Sequence, residues 1–122
     1  MVDHDPGAPS GPDVEFVLVA DRAEVVGGKL YVMGGAWEQT AVLDFDVPIH
    51  VSLAVSIQVP WHATNQHHQV AIGIDDADAR PIASIPTSFV VGRPPHLEAG
   101  SAQRVVLAIP FVSLKLPAPG TY

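Results

Sequence analysis

The hydrophobic residues of this chain recur at every second position, and this period limits its possible folds more than any other feature. In the segment 50–59, HVSLAVSIQV, odd positions are large and apolar, whereas even positions are polar or small. Successive side chains of a β-strand face opposite sides, so the pattern predicts a strand with one core face and one wetter face. The segments 70–75 and 105–111 repeat the alternation, and no long window has a helical period. The chain is therefore expected to be all-β.

Glycine and proline mark where these strands turn or end. The segment 15–26 begins apolar on both faces, which predicts a central strand, and it stops at Gly27-Gly28. Two successive glycines between apolar runs favour a two-residue hairpin turn, because both central residues of that turn need positive φ. Pro110 lacks an amide donor, so its strand is expected to lie at a sheet edge or to contain a bulge.

Roughly seven or eight short strands separated by turn signals are typical of an antiparallel β-sandwich. A small open barrel is the alternative. The segment 116–122, LPAPGTY, resembles the approach to the last strand of immunoglobulin-like sandwiches. Since the sequence stops at Tyr122, we predict a single immunoglobulin-like sandwich that lacks its last strand. The expected core comprises Phe16, Leu18, Leu30, Val32, Val51, Leu53, Val55, Ile57, Val70, Ile72, Ile74, Leu107 and Ile109.

Length and charge set further limits. At about 150 residues per domain, 122 residues form one domain. Residues 1–13 are rich in acids and prolines and predict a disordered acidic tail, which leaves 14–122 for the sandwich. The N-terminus lacks the basic start and the apolar stretch of a signal peptide, so we expect a cytoplasmic protein. A net charge of −7 disfavours nucleic acid and anionic membranes as partners.

Three segments resemble an uncharacterised family of small bacterial proteins. The first is 20–37, which fits the family pattern D-x-A-E-V-x-x-G-K-L-Y-x-x-G-G-x-W. The second is Val-Pro-Trp at 59–61, followed by Asn65 and His68, and the third is 92–100, which fits G-R-P-P-x-L-x-x-G. The resemblance covers nearly the whole domain. It specifies a family and implies no particular activity.

Three histidines lie in the loop that follows the clearest strand. The candidate binding loop comprises Trp61, His62, Asn65, His67 and His68. Imidazoles this close together can bind a transition metal. In a strand, however, His67 and His68 would face opposite sides, so a metal site needs a loop conformation here. The alternative is a polar hairpin loop without a ligand.

A weaker metal candidate is the acidic segment that contains Asp75, Asp76 and Asp78. Adjacent carboxylates can bind Ca²⁺, but the glycine and the distal glutamate of an EF-hand loop are missing. Aspartate is also favoured in turns, because its carboxylate accepts hydrogen bonds from nearby backbone amides. A turn without metal is therefore the main expectation. At Ala79, in the same segment, the family pattern has glycine.

A proline-rich segment is a candidate partner-contact loop. It contains Arg93, Pro94, Pro95 and His96. A loop stiffened by prolines can present an arginine to an anionic group or to a partner surface. The alternative is a solvated loop with no partner.

No enzyme signature is visible in the sequence. It lacks a G-x-S-x-G elbow, a P-loop and the G-x-G-x-x-G fingerprint, so no catalytic residue and no cofactor are predicted. We expect a non-catalytic interaction or oligomerisation module that binds a protein partner or another copy of itself through an open sheet edge near the C-terminus. The alternative is a small-ligand or metal-binding protein that uses the loop around His62, His67 and His68.

Overall fold

The computed structural model describes residues 11–122, except for the side chain of Phe111. Most of the predicted tail, 1–13, lies outside this part of the chain. Within the described part, the regular structure consists of antiparallel strands and one short 3-10 turn, Trp61–Ala63. The strands are β1 (Asp13–Val26), β2 (Lys29–Gly35), β3 (Ile49–Val59), β4 (His68–Asp75), β5 (Pro81–Phe89) and β6 (Gln103–Leu114).

The described strands number six, fewer than the roughly seven or eight expected. Residues 36–48 form no strand before β3 begins, and the two apolar runs on either side of Pro86 belong to one strand, β5. Proline is tolerated inside β5 because the strand belongs to a two-stranded sheet, so one of its edges forms no hydrogen bonds to a neighbouring strand.

Two antiparallel sheets pack face to face around one core. The larger sheet has the order β2-β1-β3-β6, and the smaller consists of β4 and β5. The buried core residues are Val51, Leu53, Val55, Ile57, Val59, Ala63, Ile72, Phe89, Val112 and Leu114. The predicted class, an all-β antiparallel sandwich, is confirmed. Its immunoglobulin-like assignment stays a prediction.

The central strand β3 is buried on both faces, so the prediction of a wetter face was wrong. Ser52, Ala54 and Ser56 occupy that face and are at most 1% exposed. β3 lies between β1 and β6, and Phe16 and Leu18 of β1 are the cross-strand neighbours of Ser56 and Ala54. Both hydroxyls have partners: Ser52 Oγ donates to the Pro110 carbonyl at 2.7 Å, and Ser56 Oγ donates to Glu15 at 2.6 Å. The small residues of β3 therefore fit a crowded sheet face rather than a wet one.

The pairing of β1 corrects two predicted core residues. Phe16 and Leu18 pair with the small residues of β3, so both lie on the face away from the core. Val19 points to the other side and packs against the core cluster. β1 is apolar at successive positions, so alternation alone does not show which face is inside. The pairing with β3, whose register shifts between Val14 and Phe16, decides it.

The predicted hairpin at Gly27-Gly28 is confirmed. Both glycines have positive φ, 58° and 75°, and β1 pairs with β2 across them. β1 changes partner at Ala20, because the residues up to it pair with β3 and those from it onward pair with β2. Val32 on this hairpin was predicted to be a core residue, but it is 36% exposed and lies outside the core cluster.

Pro110 has the position that its missing amide donor predicted. It lies in β6, which forms one edge of the larger sheet. The register of β6 against β3 also shifts between Val51 and Leu53, so an irregularity accompanies the proline. The expectation of an edge strand or a bulge is therefore confirmed on both counts.

One carboxylate links three strands of the larger sheet. Glu15 on β1 accepts a hydrogen bond from Ser56 on β3, and its two oxygens accept from Arg104 on β6 at 2.7 and 3.0 Å. The Arg104 guanidinium, followed by the Ser56 hydroxyl, lowers the pKa of Glu15 from 4.5 to about 2. Because a lowered pKa means that the folded chain favours the ionised form, this carboxylate stabilises the native state.

We expect Glu15→Gln to make stability less dependent on acid pH. The native protein binds this proton only near pH 2, whereas the unfolded chain binds it near pH 4.5. The stabilisation by the carboxylate is therefore complete above about pH 4.5 and is lost as the pH falls towards 2. Urea unfolding of both proteins between pH 7 and pH 2 measures this: the wild type should be the more stable at neutral pH, and the difference should shrink through this window.

Glu24→Gln is the matched control. Glu24 also forms an ion pair, with Arg22 at 2.7 Å, but both side chains are largely exposed, and such pairs contribute little. A difference between wild type and Glu15→Gln that stays constant from pH 7 to pH 2 would contradict the prediction.

Candidate functional site

The candidate binding loop begins with a turn that closes on itself. The chain leaves β3 through Pro60 and enters the 3-10 turn, where Ala63 N–H donates to the Pro60 carbonyl at 3.0 Å. The Thr64 hydroxyl donates to the Trp61 carbonyl at 2.7 Å, and Thr64 is 2% exposed. The turn is therefore a defined structural unit, and Trp61 is half-buried in it.

Arg93 joins the two loops that the sequence offered as separate candidates. Its guanidinium carbon lies 4.0 Å from the centroid of the Trp61 ring, a cation–π geometry. Its Nε donates to Thr64 Oγ1 at 2.6 Å, and its Nη2 donates to the Trp61 carbonyl at 2.9 Å. The planar, forked guanidinium suits this combination of stacking and donation. We refer to Trp61, Thr64 and Arg93 as the arginine clasp.

Asn65 adds a backbone link between the same loops. Its N–H donates to the Val91 carbonyl at 2.7 Å, and its φ is 59°, in the left-handed region. Asparagine is one of the few residues that adopt this region readily. Its place in the sequence therefore has a conformational reason, independent of any ligand.

The histidines of the candidate binding loop do not converge. His62 and His67 are exposed, whereas His68 is half-buried with its ring centroid 5.4 Å from that of Phe89. His68 Nε2 also lies 2.7 Å from the Ala63 carbonyl. Among residues 11–122, no group of three or more His, Cys, Asp or Glu side chains is placed to hold a metal ion.

In the candidate partner-contact loop, only part of the sequence is directed outwards. Arg93 is engaged in the arginine clasp, and Pro94 accepts a hydrogen bond from Leu97 N–H at 2.9 Å, which closes a turn. Pro95 and His96 are exposed at the tip of this turn. Arg93, the residue expected to contact a partner, contacts the neighbouring loop and is also exposed, so its contact with a partner stays a prediction.

The acidic segment forms the expected turn. Asp76 Oδ1 accepts hydrogen bonds from the backbone N–H groups of Asp78 and Arg80, both at 2.9 Å. Asp75 is exposed at the end of β4. Ala79 closes the turn with a φ of 60°, which an L-residue adopts at a cost and glycine adopts freely. The glycine of the family pattern matches this backbone conformation.

A groove that the sequence did not suggest lies between residues 37–45 and the segment 114–122. Its volume is about 920 Å³. Its apolar lining includes Val19, Trp37, Phe45, Val51, Ile74, Leu114, Leu116 and Tyr122. Trp37 is half-buried and packs against the core, and its buried Nε1 has no hydrogen-bond partner in the described part of the chain. The sequence gives one indication of this groove, because both segments contain aromatic residues outside the alternating strand pattern. That pattern does not predict that the two segments lie side by side.

We expect Arg93→Lys to destabilise the domain by about 1–2 kcal/mol. Lysine keeps the charge but loses the planar stacking and one donor, and stacking and single hydrogen bonds each contribute about 0.5–1.5 kcal/mol. Urea unfolding at pH 7 measures the change. Arg80→Lys is the control, because Arg80 is exposed and its backbone N–H, which the substitution keeps, donates to Asp76. Equal stabilities of the two variants would show that the clasp is not a stabilising contact.

We expect Ala79→Gly to stabilise the domain by about 0.5–1 kcal/mol. It removes the left-handed strain of an L-residue, about 1–2 kcal/mol, against the larger backbone entropy that glycine loses on folding. Thermal and urea unfolding measure the gain. Ala77→Gly in the same turn is the control, since Ala77 does not have positive φ and gains nothing. A loss of stability in Ala79→Gly is the opposite of what the turn geometry predicts.

Within the described residues, no helix has the length and apolar character needed to cross a bilayer. A search of the curated proteins and a search of the solved structures found no match. Residues 15–122 match DUF6941, a family of unknown function. The match covers most of the sequence and includes the hairpin, the arginine clasp and the acidic turn. This chain therefore belongs to the DUF6941 family.

Proposed function

We propose that this domain is a non-catalytic interaction module that pairs with another protein chain through the open edge of β2. β2 is an outer strand of the larger sheet, so one side of its backbone has no ladder. Unpaired N–H and C=O groups of an edge strand are a template for strand addition. The observation that carries the proposal is the exposure of large apolar side chains on this strand.

Three successive residues of β2 are exposed although they are large and apolar. Tyr31 is 54% exposed, Val32 is 36% exposed and Met33 is 67% exposed. Val25 and Val26, on the adjoining part of β1, are 39% and 56% exposed. The pairing of the two strands places Val26, Tyr31 and Met33 on one face of the hairpin and Val25 and Val32 on the other, so apolar side chains are exposed on both faces. We refer to these five residues as the hairpin patch.

The other outer strands are better protected against pairing. β6 was the expected edge near the C-terminus, but it contains Pro110 and a register shift. β5 contains Pro81 and Pro86. The outward positions of β4 are small or polar, while its apolar residues such as Ile72 face the core. Prolines, irregularities and the absence of apolar exposure all discourage edge-to-edge pairing. Among the outer strands within residues 11–122, β2 combines an open edge with exposed apolar residues. The half of β1 before Ala20 also has one side without a partner strand, and it exposes Val14, Phe16 and Val17.

Site-specific photocross-linking in the cells that produce the protein tests this proposal. We expect p-benzoylphenylalanine at Met33 to form a cross-link of discrete mass with a protein chain that mass spectrometry identifies. The same probe at Leu43 is the control, because Leu43 is fully exposed but lies in the irregular segment 36–48. Pairing through β2 predicts a product from Met33 and none from Leu43.

The outcomes separate specific pairing from general stickiness. A cross-linked product from Met33 alone supports an interaction through β2. The absence of a product, or equal products from both positions, means that the β2 edge is not the interaction surface and overturns the proposal.

A further inference from the structure

We infer that the groove between residues 37–45 and 114–122 binds a small organic cation that has an apolar body and an oxygen acceptor. We refer to this groove as the Trp37 groove. Its volume, about 920 Å³, lies in the range of small-molecule sites, about 300–1,000 Å³. Its described lining includes no residue of the hairpin patch, so this inference goes beyond the proposed pairing through β2 and does not depend on it.

The walls of the Trp37 groove suit an apolar or aromatic body. Trp37 and Phe45 contribute half-buried rings from the segment before β3, and Tyr122 contributes a third ring from the segment after β6. The Tyr122 hydroxyl donates to the Ala118 carbonyl at 2.7 Å, so a contact within its own segment holds this ring. Aromatic rings pack against apolar groups and also attract cations, because their faces carry partial negative charge.

The charged groups of the Trp37 groove select a cation. Glu38 and Asp75 line it and are exposed, whereas within residues 11–122 no Lys, Arg or His belongs to the lining. Lys115 lies between two lining residues in the sequence but does not line the groove itself. A concave site with two carboxylates and no base attracts cations and repels anions. The net charge of −7 acts in the same direction.

The indole N–H of Trp37 calls for an acceptor. Its buried Nε1 has no hydrogen-bond partner in the described part of the chain. Buried polar groups are nearly always hydrogen-bonded, and an indole N–H can only donate. A ligand oxygen beside the ring supplies the acceptor that this donor lacks. Since the atom is closed to water, we expect binding to shift the lining residues 38–42, which belong to no strand.

An NMR titration of the full ¹⁵N-labelled chain tests the site. The chain has two tryptophans and therefore two indole N–H resonances, and Trp37→Phe identifies the one from Trp37. The probe is 2-phenoxyethylammonium, which combines a ring, an ether oxygen and a positive charge. We expect it to shift the Trp37 resonance and not that of Trp61, with a dissociation constant of about 10⁻⁴–10⁻² M for so small a molecule.

Two matched ligands separate the charge from the acceptor. Phenoxyacetate keeps the ring and the ether oxygen but is an anion, so it should bind at least about fivefold more weakly. The second, 3-phenylpropylammonium, keeps the ring and the positive charge but has a methylene in place of the ether oxygen. It should bind at least about threefold more weakly, because it leaves the Trp37 N–H without an acceptor.

Substitution of the two carboxylates tests the location of the charge. Glu38→Gln combined with Asp75→Asn should weaken binding of 2-phenoxyethylammonium at least about threefold. Asp78→Asn is the matched control, because Asp78 is exposed in the neighbouring acidic turn but does not line the groove. All three side chains are exposed, so their replacement leaves the core unchanged, and the dispersion of the ¹⁵N spectrum checks that each variant folds.

The outcomes are decisive in both directions. Preferred binding of 2-phenoxyethylammonium that depends on Glu38, Asp75 and the ether oxygen supports the inference. A Trp37 resonance that does not move up to about 10 mM probe, or equal binding of phenoxyacetate, overturns it. Equal binding of 3-phenylpropylammonium overturns the oxygen-bearing class of ligand. Equal losses in Asp78→Asn and in the double variant indicate general attraction to an acidic chain and also overturn the site. None of these results bears on the cross-link at Met33, which tests another surface.

Discussion

The structure depends on the burial of β3 from both sides. Leu53, Val55 and Ile57 fill the space between the two sheets, while Ser52 and Ser56 form the crowded opposite face with their hydroxyls hydrogen-bonded. Truncating a buried aliphatic residue costs about 2–5 kcal/mol, more than the loss of a loop contact. Because β3 is enclosed by β1 and β6, these two strands are held in place, and β2 is left at the outside of the sheet.

The arginine clasp shows how chemistry-bearing residues can serve the fold. Trp61 and Arg93 stood out in the sequence as candidates for two separate sites. In the structure the two residues contact each other. The Arg93 guanidinium stacks on the Trp61 indole and donates hydrogen bonds to Thr64 and to the Trp61 carbonyl. Two of the three family segments therefore meet at one contact. The candidate binding loop and the candidate partner-contact loop thus form a single braced end of the sandwich.

The sequence predicted those features that local geometry determines. The period of two identified the strands, the glycine pair placed the hairpin, and Pro110 indicated an edge. Pairing was not accessible in the same way, because Phe16 and Val17 are both apolar and only the register with β3 decides which one faces the core. The meeting of Arg93 with Thr64, 29 residues apart, is likewise a tertiary contact without a local signal. The positive φ of Ala79 differs from these tertiary contacts, because the sequence carries a sign of it: the family pattern has glycine at this position.

The hairpin patch follows from the partner change of β1 at Ala20. Up to this residue β1 is held by β3, and beyond it the pairing passes to β2. An isolated two-stranded hairpin is marginal in water, so exposed Tyr31 and Met33 are a liability for a domain that stays alone. These exposed apolar side chains are the surface that the proposed pairing through β2 would cover.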